Sequence, residues 1–385
     1  MKRIISLVLI LMLVLSMVGC SDTAKESQSE ITPEQSESTQ SEPEEEAVDT
    51  VALEEYNNWL ASLFHGIIKL EERAGAYGEE ALGGGTYFPM RFSHERIAAY
   101  EVYNSTAKIA APYYNCTTGV RMDFYTDAKE ISFTYATQGT FFDRSGEHPD
   151  DCFALFENGE FKGTYIVQYG MPEQLVYERV SEEAESRITI VFPNWHGVAL
   201  SEFSLGNARP VEEYDQKFLF LGDSIAQGLF ADNPSESWTH LVATEFNADY
   251  LNLAVGGEIF REAALDSGLP FEPTHIIVAL GENDYYGGVN EVAMAQNCRA
   301  YLTRLRLIYP GVPVTVVSSF NSDKPESWTA SMLTAARDTG CNAIEGTMMA
   351  SVDADSWNVD RVHPSSKGFK EIAESLVPAL NEYIK

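Results

Sequence analysis

From about residue 213 to the end of the chain, short continuous apolar runs alternate with segments of helical periodicity. A continuous apolar run predicts a strand buried on both faces, because a strand with one solvent face alternates apolar and polar residues. Such strands, alternating with helices, predict an α/β fold in which helices cover both faces of a parallel sheet. We expect the strands at 218–221, 250–255, 274–280 and 314–320, and the helices at 238–246, 289–309, 328–339 and 367–383.

Residues 86–210 have a different pattern, in which short runs of Val, Ile, Phe, Tyr and Thr are separated by turn residues. This pattern is typical of an antiparallel β-sandwich, and Asn158-Gly159 predicts a tight hairpin because both residues accept a positive φ. Apolar residues at helical spacing over 51–75 predict an amphipathic helix. We therefore expect a helix and β-sandwich domain over 51–210, followed by the α/β domain over 213–385. The expected strands are 119–125, 131–135, 153–160, 163–167, 175–177 and 187–192.

The N-terminus has the pattern of an export signal. Lys2 and Arg3 precede an apolar run over 4–17 that is short for a membrane span. The run leads into Met17-Val18-Gly19-Cys20, which resembles a bacterial lipobox, although Leu is more usual than Met at its first position. The resemblance implies a signal peptide over 1–20, cleavage before Cys20 and lipidation of its thiol. The alternative is an ordinary signal peptide with an incidental cysteine.

Residues 21–50 consist mainly of Ser, Glu, Gln, Thr and Pro. A segment with so few large apolar side chains cannot bury enough surface to offset its chain entropy, so we expect a disordered acidic linker. A lipid anchor followed by such a linker predicts an exported lipoprotein that is held at the cell membrane and faces outward.

Charge and cysteine content limit the partners and cofactors. The 385-residue chain has a formal net charge of −32 and no visible basic patch, so we expect no nucleic-acid partner. No His or Cys spacing predicts a metal. Export permits disulfides, but buried free thiols are equally compatible with the sequence, and the oligomeric state stays open. The cysteines concerned are Cys116, Cys152, Cys298 and Cys341.

Polar or glycine residues follow several of the expected parallel strands. Ser224 stands in Gly-Asp-Ser after the first, Gly257 in a Gly-Gly pair after the second, and Asn283 in Gly-Glu-Asn-Asp after the third. Asp360 and His363 lie three positions apart before the last helix. Since parallel strands end at a common edge, we expect these residues to meet there.

These residue types are the ones that acyl transfer requires. A serine hydroxyl becomes a good nucleophile when a base takes its proton, and His363 is matched to that task near neutral pH. Asp360 can orient the imidazole. The backbone N–H groups of Ser224 and Gly257 and the side-chain amide of Asn283 are candidate donors to the oxyanion. The paired glycines leave Gly256 as an alternative donor to Gly257.

Each segment alone has an ordinary structural explanation. Gly-Asp-Ser is a common turn after a strand, and Asn283 with Asp284 could cap a helix. His363 with the following proline could be a loop that packs on the last helix. It is the order and spacing of all the segments together that favour a catalytic site.

The four segments resemble the motifs of the SGNH/GDSL hydrolases over roughly residues 215–385. The resemblance implies a three-layer α/β/α, flavodoxin-like fold, with Ser224, Asp360 and His363 as the catalytic triad and Ser224, Gly257 and Asn283 as the oxyanion hole. Glu282 departs from the family, which commonly has Thr or Ala at that position. The preceding sandwich resembles the N-terminal domain of some bacterial esterases of this family, on residues 121–125 and 192–198.

The resemblance implies a serine esterase that needs no metal or organic cofactor. Many enzymes with this domain arrangement deacetylate carbohydrates, so we expect a small-molecule or polysaccharide ester as substrate, with acetyl as the acyl group. An esterase of lipids or lysophospholipids is the enzymatic alternative. An inactive glycan-binding lipoprotein is the alternative from another functional class.

Overall fold

The computed structural model describes residues 50–73, 85–107, 115–140, 151–167, 172–194, 196–212, 214–265 and 268–384. Within it, Thr50–Lys385 forms one compact unit. The predicted signal peptide with Cys20 and residues 21–49 of the predicted linker lie outside the described residues, and Thr50, the last residue of the predicted linker, begins the first helix. The division into domains at residues 210–213 stays a prediction.

The strands of the first part of the described chain pair antiparallel in two sheets, which agrees with the predicted sandwich. One sheet has the order β1-β4-β9-β6-β7, with β11 beside β4, and the other has the order β2-β3-β10-β5-β8. The hairpin between β6 and β7 turns at Asn158 and Gly159, with φ of 53° and 79°, as predicted. The strands are β1 (Phe64–His65), β2 (Lys69–Arg73), β3 (Thr86–Met90), β4 (Arg121–Thr126), β5 (Glu130–Thr140), β6 (Cys152–Glu157), β7 (Glu160–Ile166), β8 (Glu173–Glu178), β9 (Ser186–Val191), β10 (His196–Ser204) and β11 (Arg209–Pro210).

Aromatic side chains from both antiparallel sheets fill the space between them. Phe133 of β5 is fully buried and stacks on Phe192, with ring centroids 6.4 Å apart. Phe153 of β6 packs edge-on against Phe133 at 5.8 Å. The antiparallel part therefore has its own apolar core. Large aromatic side chains contribute much of the area that such a core buries.

The prediction of one helix over 51–75 was wrong in its length. Helix α1 spans Thr50–Ser62, and the chain then enters β1 and β2. Beyond the end of α1, between β1 and β2, Gly66 has a φ of 73° and would place a Cβ 2.2 Å from the carbonyl oxygen of Gly119. The chain turns there in a conformation that disfavours other residues and cannot continue a helix.

A helix that the sequence pattern did not predict, α2 (His94–Ala107), lies between β3 and β4 in the chain. Its Tyr100 is 1 % exposed and belongs to the core of the parallel sheet, not to the core of the sandwich. Helix α2 therefore connects the antiparallel part to the α/β part.

The C-terminal strands form a parallel sheet in the order β13-β12-β14-β15-β16, which confirms the predicted α/β class. In chain order this is 2-1-3-4-5, the flavodoxin-like arrangement. The strands are β12 (Gln216–Gly222), β13 (Ala248–Asn252), β14 (His275–Ala279), β15 (Val314–Val317) and β16 (Asn342–Ile344). The helices are α3 (Ser224–Gln227), α4 (Trp238–Glu245), α5 (Glu282–Tyr286), α6 (Glu291–Ile308), α7 (Glu326–Asp338) and α8 (Ser366–Leu380).

Alternate residues of each parallel strand point to opposite faces and build two apolar cores. On β12, Leu219 and Leu221 pack with side chains of α6 and α7, and Phe218 and Phe220 pack with side chains of α4 and α8. Helices thus cover both faces of the sheet, in the predicted three-layer arrangement. The order of strands reverses at β12, and in such sheets the crevice beyond the carboxyl ends at this point is where ligands bind.

Candidate active site

Ser224 lies directly beyond β12, at the first position of α3. The Asp223 carboxylate caps this helix by accepting a 3.0 Å hydrogen bond from the N–H of Ile225. Gly222 permits the tight exit from the strand, because a Cβ there would lie 2.8 Å from the carbonyl oxygen of Ala279 on the neighbouring strand. The serine hydroxyl is thereby presented at the carboxyl edge of the sheet.

The structure brings Ser224, His363 and Asp360 into one hydrogen-bonded series. Ser224 Oγ lies 2.7 Å from His363 Nε2, and His363 Nδ1 lies 2.6 Å from Asp360 Oδ2. Partial burial acts to raise the pKa of Asp360, but hydrogen bonds from the His363 ring and from the N–H groups of Val362 and His363 lower it to about 2. The ionised carboxylate favours a proton on Nδ1 and leaves Nε2 to accept the serine proton.

The loop that carries Asp360 and His363 is folded back on itself. The N–H of Asn358 donates to the carbonyl oxygen of His363 at 2.9 Å, and Arg361 takes a left-handed φ of 57° between them. Asn321, just beyond β15, donates its side-chain N–H to the carbonyl oxygen of Arg361 at 2.8 Å. The Phe230 ring packs on the imidazole, with centroids 5.2 Å apart. These contacts hold the imidazole toward Ser224.

The two glycines beyond β13 differ in whether their N–H groups are free. The N–H of Gly256 donates to Gln227 Oε1 at 2.8 Å. The N–H groups of Gly257 and Ser224 have no acceptor within the described residues. Gly257 has a φ of 85°, which a residue with a Cβ disfavours. Of the two alternatives that the sequence left open, this geometry favours Gly257 as the oxyanion donor.

Asn283 does not cap α5, since the N-cap of that helix is Gly281. Its Nδ2 donates to the carbonyl oxygen of Glu258 at 3.1 Å, which ties the loop after β13 to the loop after β14. The second N–H of the same amide remains for another acceptor. The capping explanation for Asn283 is therefore wrong in this structure, and a donor role remains.

Three buried ionisable groups lie near the serine: Asp223, Glu282 and Lys324. Glu282 Oε1 is 2.5 Å from Lys324 Nζ, and both side chains are almost fully buried. Burial, together with the charge of Glu282, raises the pKa of Asp223 to about 8, although the hydrogen bond from the N–H of Ile225 and the charge of Lys324 act to lower it. Burial also raises the pKa of Glu282, which Lys324 opposes. The residue that departs from the family pattern, Glu282, is thus a member of a buried ion pair.

Sequence reasoning missed several residues that support this site, among them Gln227, Asn321 and Lys324. Asn321 could have been found, because it directly follows the apolar run expected at 314–320 and so lies at the same edge as Asn283. No signal in the sequence pairs Lys324 with Glu282, which lies on another loop.

The other predictions about chemistry concern thiols, metals and membrane spans. Cys116, Cys152, Cys298 and Cys341 are buried free thiols in this structure. Among the described residues, no group of His, Cys, Asp and Glu side chains is placed to hold a metal ion. None of the helices within the described ranges combines the length and the apolarity that a bilayer crossing requires.

Solved structures with the same fold include enzymes of acyl chemistry. A salicylyl-acyltransferase, SsfX3 from a tetracycline biosynthetic pathway, is 19% identical with a TM-score of 0.69, over 84% of this chain and 96% of that chain. A family two carbohydrate esterase from Clostridium thermocellum, in complex with cellohexaose, is 14% identical with a TM-score of 0.53, over 68% and 91%. An acetyl xylan esterase, Est2A, from the rumen bacterium Butyrivibrio proteoclasticus is 18% identical with a TM-score of 0.51, over 70% and 91%.

Sequence comparison is more specific about the C-terminal part. No curated protein matches this chain. Residues 220–370, however, match the family model of the GDSL-like lipases and acylhydrolases, and this range contains Ser224, Gly257, Asn283 and the loop with His363. The protein therefore carries, over residues 220–370, a domain of the GDSL-like lipase/acylhydrolase family, as the resemblance of its motifs predicted.

Proposed function

We propose that this protein is a serine esterase that removes short acyl groups, above all acetyl, from carbohydrate esters. The observation that carries the proposal is the series from Ser224 Oγ to His363 Nε2 at 2.7 Å and from His363 Nδ1 to Asp360 Oδ2 at 2.6 Å. A nucleophile within reach of a base, and a base held by a carboxylate, is the arrangement that nucleophilic acyl transfer needs.

In the first half-reaction, Ser224 Oγ bonds to the ester carbonyl carbon while His363 Nε2 takes the hydroxyl proton. The carbonyl oxygen becomes an oxyanion and accepts hydrogen bonds from the N–H groups of Ser224 and Gly257 and from the amide of Asn283. His363 then gives its proton to the alkoxy oxygen of the sugar as the carbon–oxygen bond breaks. The acyl group remains on Ser224.

In the second half-reaction, water takes the place of the sugar hydroxyl. His363 removes a proton from the water while its oxygen bonds to the acyl carbon, and the same donors hold the second oxyanion. The bond to Ser224 Oγ breaks, the oxygen recovers the proton from His363, and the carboxylic acid leaves. Asp360 stays ionised throughout and stabilises the imidazolium.

Two observations support carbohydrate as the acyl acceptor. Two of the structures that share this fold are named as a family two carbohydrate esterase and as an acetyl xylan esterase. A formal net charge of −32 also opposes the approach of anionic phospholipids. We therefore favour a neutral acetylated glycan over a phospholipid as substrate.

The test is a substrate panel on the chain that lacks residues 1–49, since Thr50–Lys385 forms one compact unit. We expect turnover of p-nitrophenyl acetate and release of acetate from acetylated glycans, with kcat/KM falling steeply from acetyl to octanoyl esters. A fluorophosphonate should label the wild type and leave Ser224→Ala unlabelled. Labelling of another residue would refute the assignment of the nucleophile.

The same panel separates the alternatives. A preference for octanoyl over acetyl esters would favour the lipid esterase and leave the catalytic assignments intact. A folded protein that binds glycans, turns over no ester and escapes labelling would be the inactive glycan-binding protein.

We also propose that the protein is exported and anchored through a lipid on Cys20, on the basis of the lipobox-like Met17-Val18-Gly19-Cys20 and the acidic segment that follows. One acyl chain holds a protein to a bilayer weakly, so a diacylglyceryl group is expected. Wild type should partition into the detergent phase with the membrane fraction, and Cys20→Ser should not. Release of wild type into the medium without lipid would contradict the anchor.

A further inference from the structure

Helix α2, which precedes the sandwich strand β4 in the chain, reaches the loop that carries the proposed oxyanion donor. Its Tyr100 and Arg96 are buried, and Arg96 Nη2 donates to Tyr100 Oη at 2.6 Å. Arg96 Nη1 donates to the carbonyl oxygen of Ala263, at the far end of the loop after β13, at 2.6 Å. The helix is therefore bonded to a segment more than a hundred positions away.

Glu258 is the point at which these contacts meet the candidate active site. It directly follows Gly257, and its side chain is buried. Tyr100 Oη donates to Glu258 Oε2 at 2.8 Å, and Arg96 Nη2 lies 3.8 Å from the same oxygen. On the other side, Arg261 Nη2 lies 3.2 Å from Glu258 Oε1.

The main chain of Glu258 contacts the donors themselves. Its carbonyl oxygen accepts the hydrogen bond from Asn283 Nδ2, at 3.1 Å. Its N–H donates to the carbonyl oxygen of Val255 at 3.0 Å and so closes the turn that contains Gly257. Glu258 is thus adjacent to the proposed donor Gly257 in the chain and is hydrogen-bonded to the proposed donor Asn283.

A loop with two adjacent glycines needs such support. Glycine has more conformational freedom than any other residue, whereas oxyanion donors stabilise a transition state only when they are in place before charge develops. A buried carboxylate is itself costly unless it is paired and hydrogen-bonded. Arg91, which follows β3, adds to the support by donating to the carbonyl oxygens of Asn252 and Ala254 at 2.6 and 3.3 Å.

We propose that Glu258, held by Tyr100 and Arg96 of α2, is a positioning residue for the oxyanion donors Gly257 and Asn283. The inference rests on the proposed serine esterase function. It assigns to α2, which lies between the sandwich strands β3 and β4, a task in the reaction, although none of its residues is proposed to touch the substrate.

The test uses two conservative variants, each with a control variant that loses the same kind of chemical group elsewhere. Tyr100→Phe removes a hydroxyl, and Glu258→Gln replaces the carboxylate by an amide. Their controls are Tyr250→Phe, which loses a hydroxyl that lies 3.0 Å from His240 Nδ1, and Asp249→Asn, which loses the charge paired with Arg121 at 2.6 Å. Both control residues belong to β13, before the glycine loop.

We expect Tyr100→Phe and Glu258→Gln to lower kcat for p-nitrophenyl acetate by roughly tenfold, with KM nearly unchanged, since loss of one charge-assisted hydrogen bond costs about one such factor. The affinity for a boronic acid that mimics the tetrahedral intermediate should fall in parallel. The two controls should keep kcat within about twofold, which is the scatter expected of substitutions without a shared partner.

A double variant tests whether Tyr100 acts through the donor. Tyr100→Phe combined with Asn283→Ala should lose less activity than the product of the two single losses, because the second change finds the donor already absent. Full additivity, or equal losses in variants and controls that follow their thermal stability, would overturn the inference. An inactive wild type that no fluorophosphonate labels would instead refute the proposed function, so the two failures are distinguishable.

Discussion

Neighbouring strands of the parallel sheet run in one direction, whereas those of the two antiparallel sheets alternate. In the parallel sheet, chain direction alone delivers the residues after β12, β13 and β14 to one edge. The antiparallel sheets have no such edge. Residues of that part, among them Arg91, Arg96 and Thr118, instead form hydrogen bonds with segments around the site. The α/β part thus supplies the proposed catalytic groups, and the antiparallel part supplies contacts that hold the loops on which these groups lie.

The largest effect is expected for the proposed catalytic base of the α/β part. His363→Ala should lower kcat by about 10⁴-fold or more, because Ser224 then has no base, and removal of one member of a catalytic unit removes most of its effect. The measurement is steady-state hydrolysis of p-nitrophenyl acetate, with circular dichroism as the check on folding.

His94→Ala is the matched control for this change. His94 belongs to α2, and its side chain is 68% exposed and paired with Glu71 at 2.9 Å. We expect it to leave kcat unchanged. A similar loss in both variants would show that histidine removal acts through the fold.

The next prediction asks whether the two parts unfold together. Phe133→Ala empties a fully buried position between the antiparallel sheets, and a large-to-small change of this kind costs about 3–5 kcal/mol of the free energy of unfolding. Because Thr50–Lys385 is one compact unit, urea should abolish far-UV circular dichroism and esterase activity in a single transition at a lower midpoint.

Phe161→Ala serves as its control, since Phe161 lies on β7 of the same part and is 49 % exposed. Its effect should stay within about 0.5 kcal/mol. If activity persists at urea concentrations that have already abolished part of the far-UV circular dichroism, the two parts are independently stable. The division at residues 210–213 would then separate two units of stability as well as two sequence patterns.

The sequence predicts the parallel part well for a physical reason. Continuous apolar runs and the residues that follow them are local signals, so the strands and the positions of Ser224, Gly257 and Asn283 could be found without knowing any distant contact. The same holds for the hairpin at Asn158, whose turn chemistry lies within two residues.

The contacts between the parts could not be predicted, because they join residues far apart in the chain. Tyr100 and Glu258 are 158 positions apart, and Arg91 and Asn252 are 161 apart. Helix α2 itself was missed, since it lies between strands and buries Tyr100 in the core of the other part. The length of α1 was misjudged because the residues after it form β1 and β2, which pair with β4 and β3 farther along the chain.

A smaller effect is expected at the donor that joins two loops. Asn283→Ala should lower kcat by about 10²–10³-fold with a smaller change in KM, the result expected when an oxyanion donor is removed. A change confined to KM would place Asn283 in ground-state binding.

Asn290→Ala is the matched control, because Asn290 caps α6 by accepting a 3.0 Å hydrogen bond from the N–H of Ala293. Loss of that cap should cost about 1 kcal/mol of stability and leave kcat unchanged. The pair therefore separates a catalytic amide from a structural one in the same segment of the chain.

The effect of a single pH unit is the smallest of those predicted, and it concerns the buried carboxyl next to the nucleophile. Burial raises the pKa of Asp223 to about 8, above the value of about 3.9 for an exposed aspartate. Between these values the native state keeps a proton that the unfolded state has lost. The free energy of unfolding therefore falls as pH rises, by at most about 1.4 kcal/mol per pH unit for this group. Asp223→Asn removes the titration and keeps an oxygen that can accept from the N–H of Ile225.

We therefore expect Asp223→Asn to gain stability relative to wild type as pH rises from 5 to 8, measured as urea midpoints at each pH. Asp355→Asn is the control, because the pKa of this exposed carboxyl is shifted in the opposite direction: its hydrogen bond with Lys367 lowers the pKa. Asp355 is ionised in both the native and the unfolded state over that range, so its variant should differ from wild type by a constant amount. A constant difference for Asp223→Asn as well would mean that Asp223 is ionised in the native state, with Lys324 and the N–H of Ile225 outweighing its burial.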